Sequence, residues 1–162
     1  MKWFRVLWPF GLMALAVLVW NYPVYAVSGQ IESASNGKVK VLGSSGSIWS
    51  GQMQLGLSDG AKVYAVPEAV KWQLGFGHAN SWIGIAVEHP KLIAPLHLGL
   101  TGTGITVEGG ELRMPASWLG AMGAPFNTIR PEGLLQLSWA DWQSGSALQV
   151  TLKWQDAQSA LA

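Results

Sequence analysis

In the stretch VKWQLGF, Val70 to Phe76, apolar Val70, Trp72, Leu74 and Phe76 alternate with Lys71, Gln73 and Gly75. Successive side chains of a strand point to opposite faces, so a period of two gives this run one apolar and one polar face. The same period recurs along the chain. IGIAVEH puts Ile83, Ile85 and Val87 on one face, and LHLGL does so with Leu96, Leu98 and Leu100. LLQLSW aligns Leu135, Leu137 and Trp139, and ALQVTLKW aligns Leu148, Val150, Leu152 and Trp154. Shorter pieces at Gln52–Leu57, Ala61–Tyr64, Ile105–Val107 and Glu111–Met114 fit too. Gly, Pro, Ser, Asp or Asn bound each run, as strand ends require. Ser58–Gly60 and Glu108–Gly110 read as hairpin turns.

One segment departs from the pattern. MPASWLGAMGAP, Met114 to Pro125, reads as a short helical turn carrying Trp118, opened by Pro115 and closed by Gly123. The body of the chain is therefore expected to be all-β, a curved antiparallel sheet with one helical turn. Its 162 residues suit one folded domain.

The N-terminal segment differs from the rest. Val6 to Ile31 holds no charged residue, and its densest part is VLWPFGLMALAVLVW. A helix over the ~20 residues from Val6 to Tyr25 spans roughly the ~30 Å core of a bilayer. Trp3 and Trp8 stand near one end and Trp20, Tyr22 and Tyr25 near the other, where interfacial rings belong. Pro23 closes the helix. Lys2 and Arg5 precede the apolar run and keep the N-terminus in the cytoplasm. This gives a cytoplasmic tail at 1–5, one transmembrane anchor at 6–27 and an exported β-domain at 28–162, periplasmic in a diderm bacterium. A cleaved signal peptide is the other reading, with Val24-Tyr25-Ala26 before the cut. The bulky Trp20, Tyr22 and Tyr25 favour the anchor.

Net charge is +1, but without Lys2 and Arg5 the remainder is −1, so no basic patch invites nucleic acid. Cysteine is absent, which excludes disulfides and thiolate metal sites. His78, His89 and His97 lie apart, and no Asp/Glu cluster joins them at a metal-ligand spacing. GSSGS, Gly43 to Ser47, misses the nucleophile elbow because Ser47 stands where glycine is needed, and it reads as a turn. GTGITVEGG lacks the third glycine of a dinucleotide loop and reads as a hairpin. Glu88 and His89 point to opposite faces, and no paired carboxylates suit a glycosidase. The expectation is a protein without catalytic residues, metal or cofactor, and without a small-molecule ligand.

The chain has ten tryptophans, and those of its strands remain to be placed. Trp72 and Trp154 fall on apolar strand faces and are expected in the core. Trp139 and Trp142 stand three apart in WADW, so a strand would send them to opposite faces. In GSIWSG, Gly46 to Gly51, the glycines permit a bend and Ile48-Trp49 supply a strand piece, which reads as a β-corner anchored by Trp49. With Trp118, these six rings — Trp49, Trp72, Trp118, Trp139, Trp142 and Trp154 — are the candidate structural or interaction residues.

An N-terminal apolar segment followed by GSIWSG (46–51), VKWQL (70–74), GGELRMPASWLGAMGAP (109–125), PEGLLQLSW (131–139) and KWQDAQSAL (153–161) resembles protein N of the general secretion pathway, a type II secretion system family. The resemblance rests on the order of these segments across nearly the whole chain. It implies a non-catalytic, single-pass inner-membrane protein whose periplasmic β-domain is AsmA-like. Such a protein serves export of folded proteins across the outer membrane by contact with other inner-membrane platform proteins or the outer-membrane secretin. An AsmA-like lipid-handling or envelope-maintenance role is the alternative. Family members continue beyond the W-x-D-A segment with further β-structure. Set against that pattern, the chain reads as a short variant or a truncated gene product, and if strands are missing the last apolar strand, Ala147–Trp154, is an unpaired edge.

Overall fold

The computed structural model describes residues 3–77, 81–122 and 126–159. Helix α1 runs Trp3–Trp20, and a second helix, α2, runs Tyr25–Ala34. Eleven strands follow: β1 Val39–Gly46, β2 Ser50–Ser58, β3 Val63–Ala65, β4 Val70–Phe76, β5 Ile83–Glu88, β6 Leu96–Thr101, β7 Gly104–Val107, β8 Gly110–Pro115, β9 Pro131–Trp139, β10 Trp142–Gln143 and β11 Val150–Ser159. A 3-10 turn at Ala116–Met122 and a one-turn helix, α3, at Phe126–Ile129 separate β8 from β9. The chain is thus mostly β, with antiparallel pairing throughout.

The strands divide into an eight-stranded sheet, ordered β1-β2-β4-β5-β6-β7-β10 with β3 beside β2, and a three-stranded sheet, ordered β11-β9-β8. A single sheet was the expectation, and Glu108–Gly110 is the point of departure. That segment is not a hairpin turn: it carries the chain from β7 in the first sheet to β8 in the second. The partner strand crosses back beside it, since Val107 pairs with Trp142 and Gly110 pairs with Trp139. Two residues on each strand, Glu108-Gly109 and Ala140-Asp141, make the shared corner. The Asp141 carboxylate accepts the Gly109 N–H there, and the Trp139 indole N–H donates to the Glu108 carbonyl. The β5–β6 connection also meets the second sheet, where Arg113 N–H donates to Lys91 O at 2.8 Å and Ile93 N–H to Glu111 O at 3.0 Å. An E-G-G tripeptide suits a corner as well as a turn, and long-range pairing selects the corner.

Other local readings change for similar reasons. Gly43–Ser47 is not a free turn: residues up to Gly46 belong to β1, with a register shift between Val41 and Gly43. Ile48-Trp49 is the hairpin apex between β1 and β2 rather than a strand piece. The helix α2 was not expected; it ends where Asn36 and Gly37 take positive φ of 52° and 73°. Its Glu32 holds the start of β1: the carboxylate pairs with Lys40 Nζ at 3.0 Å and accepts the Val41 N–H at 3.1 Å. The helical turn around Trp118 is present as the 3-10 segment, while its expected end at Gly123 lies outside the described residues.

Helix α1 begins earlier and ends earlier than the expected 6–27 segment. Its 18 residues measure about 27 Å at ~1.5 Å per residue. Among the described residues no helix is long and apolar enough to cross a membrane. From Phe10 to Trp20 every side chain of α1 is exposed.

Few side chains are fully enclosed. Met53, Ala116, Leu135 and Pro131 form a small core where β2, the 3-10 turn and β9 meet, and Val24 is buried where the α1–α2 link meets the β1–β2 turn. The accessible surface is 11187 Å², whereas a compact monomer of 17.4 kDa exposes roughly 7,900 Å² by mass scaling. Exposed apolar side chains of α1 and uncovered apolar sheet surface both contribute to the difference.

Candidate functional site

Register places the apolar side chains of the first sheet in cross-strand rows. Leu74, Ile85, Leu98 and Val107 are paired in sequence across β4 to β7, and all four are half-buried. The next row outward is Phe76, Ile83, Leu100 and Ile105, and all four are exposed. The opposite face of the same strands is small and polar. Gly75, Gly84, Gly99 and Thr106 form its matching row, which floors a shallow groove of about 330 Å³. Ser81 is buried over this floor; a Cβ at Gly99 would lie 2.9 Å from the Ser81 Cβ, so glycine is what lets the β4–β5 loop lie there.

The groove has polar lining but no assembled chemistry. Gln73, Glu88 and His97 reach it from β4, β5 and β6, and Glu108 from the corner after β7. Among the described residues no three His, Cys, Asp or Glu side chains come together as a metal site. His89 is structural. Its Nδ1 accepts the Lys91 N–H at 3.1 Å, which leaves the Nε2 proton to face Pro67 O at 3.2 Å, and its ring meets Trp118 edge-on at 6.4 Å. His78 lies outside the described residues.

The six candidate tryptophans are not brought together; each ties one corner of the fold. Trp49 at the β1–β2 apex reaches the end of α1. Its indole N–H donates to Val19 O at 3.1 Å, and its ring lies 5.7 Å from Trp20 and 5.6 Å from Phe76. The same apex sends Ile48 N–H to Tyr22 O just past the helix end, so the hairpin donates to backbone carbonyls on both sides of that end. Trp72 is half-buried on the apolar face, and its N–H donates to Ile48 O at 3.1 Å. Trp139 holds the corner between sheets, and Trp142 bonds Ser146 O within its own turn. Both rings are half-buried, although they stand in different strands on either side of the corner.

Trp154 departs from its expected core position: it is 42% exposed, with its N–H on Glu132 O at 2.9 Å. The reason is the place of β11. That strand is the outer member of the three-stranded sheet, and every residue from Val150 to Gln158 is exposed. Leu152 is 61% exposed and Val150 50%, on the same face as Trp154. The Ala140 N–H to Gln149 O bond sets the ladder's parity. By that parity Thr151, Lys153 and Gln155 bond to β9, while Val150, Leu152 and Trp154 turn their N–H and C=O groups outward. This apolar edge, flanked by one Lys and a bulge at Gln155–Gln158, can accept another strand.

Comparison with models of protein families, with curated proteins and with solved structures found no match.

Proposed function

We propose that this chain is a non-catalytic inner-membrane component of the type II, or general, secretion pathway that acts through protein–protein contacts. On this reading α1 anchors the chain, the β-body is periplasmic, and the partners are other inner-membrane platform proteins or the outer-membrane secretin. The observation that carries the reading is the exposed β11 edge, which offers both backbone groups and an apolar row to a partner strand. The order of sequence segments resembling secretion protein N supplies the pathway. Tethering by α1 would raise the local concentration of that edge before its partners. The test is in-cell photocrosslinking from Leu152, with Lys62 at the remote β2–β3 turn as control. Adducts with secretion-platform proteins or secretin from position 152 alone support the reading. Equal or absent adducts at both positions in a secreting cell refute it.

A second reading, an AsmA-like lipid-handling role, is favoured by the uncovered row Phe76, Ile83, Leu100 and Ile105, which offers an apolar strip to acyl chains. Native mass spectrometry of the full chain released from detergent decides it. Co-purified phospholipid supports lipid handling, and a lipid-free spectrum removes it.

A further inference from the structure

The charged residues of the first sheet are segregated to one end. Stretches 41–58, 72–87, 92–107 and 142–152 contain no Asp, Glu, Lys or Arg. Each stretch doubles back between strands: at 47–49 between β1 and β2, between β4 and β5 where Gly77 N–H meets Trp82 O, at 102–103 between β6 and β7, and at 144–146 after β10. The pairing Ser50–Gln73, Phe76–Ile83, Ile83–Leu100 and Thr101–Gly104, with Ser144 N–H on Ile105 O, gathers all four turns at the same end of the sheet. Lys38, Asp59, Lys62, Glu68, Lys71, Glu88 and Glu108 stand at the other ends of the same strands.

The uncharged end is also where α1 arrives. Trp20 stacks on Trp49 of the first turn, and Trp49 meets Phe76 beside the second. Trp82 in the second turn is 70% exposed, Trp20 66% and Tyr25 70%. Exposed tryptophan and tyrosine rings suit the lipid headgroup boundary, and the lack of charge beside them removes a cost of placing this end there. An exposed apolar helix leaving such a surface has its own end in the same plane.

We propose that this rim of hairpin turns, with Phe76, Trp82, Leu100 and Ile105 as its apolar contacts, rests in the headgroup zone of the bilayer that α1 enters. The rim then fixes the sheet upright on the membrane and holds the charged end away from it. The inference rests on the anchor reading of α1, and the test separates the two.

The chain has no native cysteine, so single labels are clean. An environment-sensitive fluorophore is placed at Ala14→Cys in α1, Thr103→Cys on the rim or Lys62→Cys at the far end. The full chain is reconstituted in phosphatidylcholine/phosphatidylglycerol vesicles carrying a nitroxide near the headgroup or deep in the acyl region. The expected result is deep quenching at 14, and headgroup quenching at 103 several-fold above that at 62. Quenching at 103 no greater than at 62 overturns the rim proposal, and with 14 quenched it leaves the anchor standing, the turns then being free for a protein partner. No quenching at 14 with strong quenching at 103 keeps the rim and removes the anchor. Trp82→Asp and, on a different hairpin, Ile105→Asp each place a charge on the rim through an exposed side chain. Either one should cut headgroup quenching at 103 several-fold while the β circular-dichroism signal persists. Unchanged quenching in both folded variants overturns the assignment of these side chains.

Discussion

Removing the Trp49 ring tests the joint between helix and sheet. Truncating a fully buried Trp to Ala costs about 3–5 kcal/mol. Trp49 is half-buried, so its lost burial is worth roughly 2 kcal/mol on that scale. Its hydrogen bond to Val19 O contributes about 0.5–1 kcal/mol, at the low end because water reaches the carbonyl once the ring has gone. Trp49→Ala is therefore expected to destabilise by about 2–3 kcal/mol, less than the 3–5 kcal/mol of a core ring. The assay is urea unfolding of the full chain in mild detergent, followed by far-ultraviolet circular dichroism. Trp49→Phe keeps the stack on Trp20 and drops the donor, so it should lose only about 1 kcal/mol. A double-mutant cycle with Trp20→Ala should return a coupling of about 0.5–1.5 kcal/mol, the usual range for an aromatic pair. A loss under about 0.5 kcal/mol for Trp49→Ala, with no coupling to Trp20, would refute the claim that this ring joins α1 to the sheet.

Three further outcomes follow from the same structure. At Gly110 a Cβ would stand 2.7 Å from the Trp139 ring, which is itself held by the Glu108 carbonyl. Gly110→Ala should cost about 1–3 kcal/mol and loosen the corner between the sheets, read by urea unfolding and by faster amide exchange at Trp139. The Glu32 carboxyl is held below its ordinary value of 4.5, first by the hydrogen bond from Lys40 and then by the Val41 N–H. A lowered folded-state pKa gives stability that is present above 4.5 and lost as pH falls through the shifted value. Thermal unfolding titrated downward from about pH 6 should show that acid loss, and Glu32→Gln should flatten it. Leu152→Lys puts a charge on the outer face of the β11 edge where the side chain is 61% exposed. Its effect on folding should stay within about 0.5 kcal/mol, while concentration-dependent association, read by light scattering, should fall.

Period-two alternation is a local property, and the strands it marks stand close to where the sequence places them. The runs around Trp72, Ile85, Leu98, Leu137 and Leu152 are β4, β5, β6, β9 and β11. The Ser58–Gly60 and Thr101–Gly104 turns close hairpins because neighbouring strands need only a short connection to meet. Helix α2 escaped that reading, since Ser28, Gly29 and Ser33 have weak helix propensity. Its C-terminal end is set by contacts with β1 through Glu32. The roles of the tryptophans were equally hidden. Trp72 and Trp154 both sit on apolar strand faces, yet one lies inside the first sheet and the other on a bare edge.

What the residues alone established is a β-body of two-faced strands behind an apolar N-terminal helix, because side-chain alternation and the run of uncharged residues act within a few positions along the chain. What only the tertiary structure decided is the corner at Glu108–Gly110, the open edge at β11 and the gathering of the uncharged strand connections at one end of the first sheet, where the β1–β2 turn meets the end of α1. Those depend on which strand hydrogen-bonds to which across tens of residues. Backbone donors and acceptors are the same in every strand, so a local pattern carries no record of that choice.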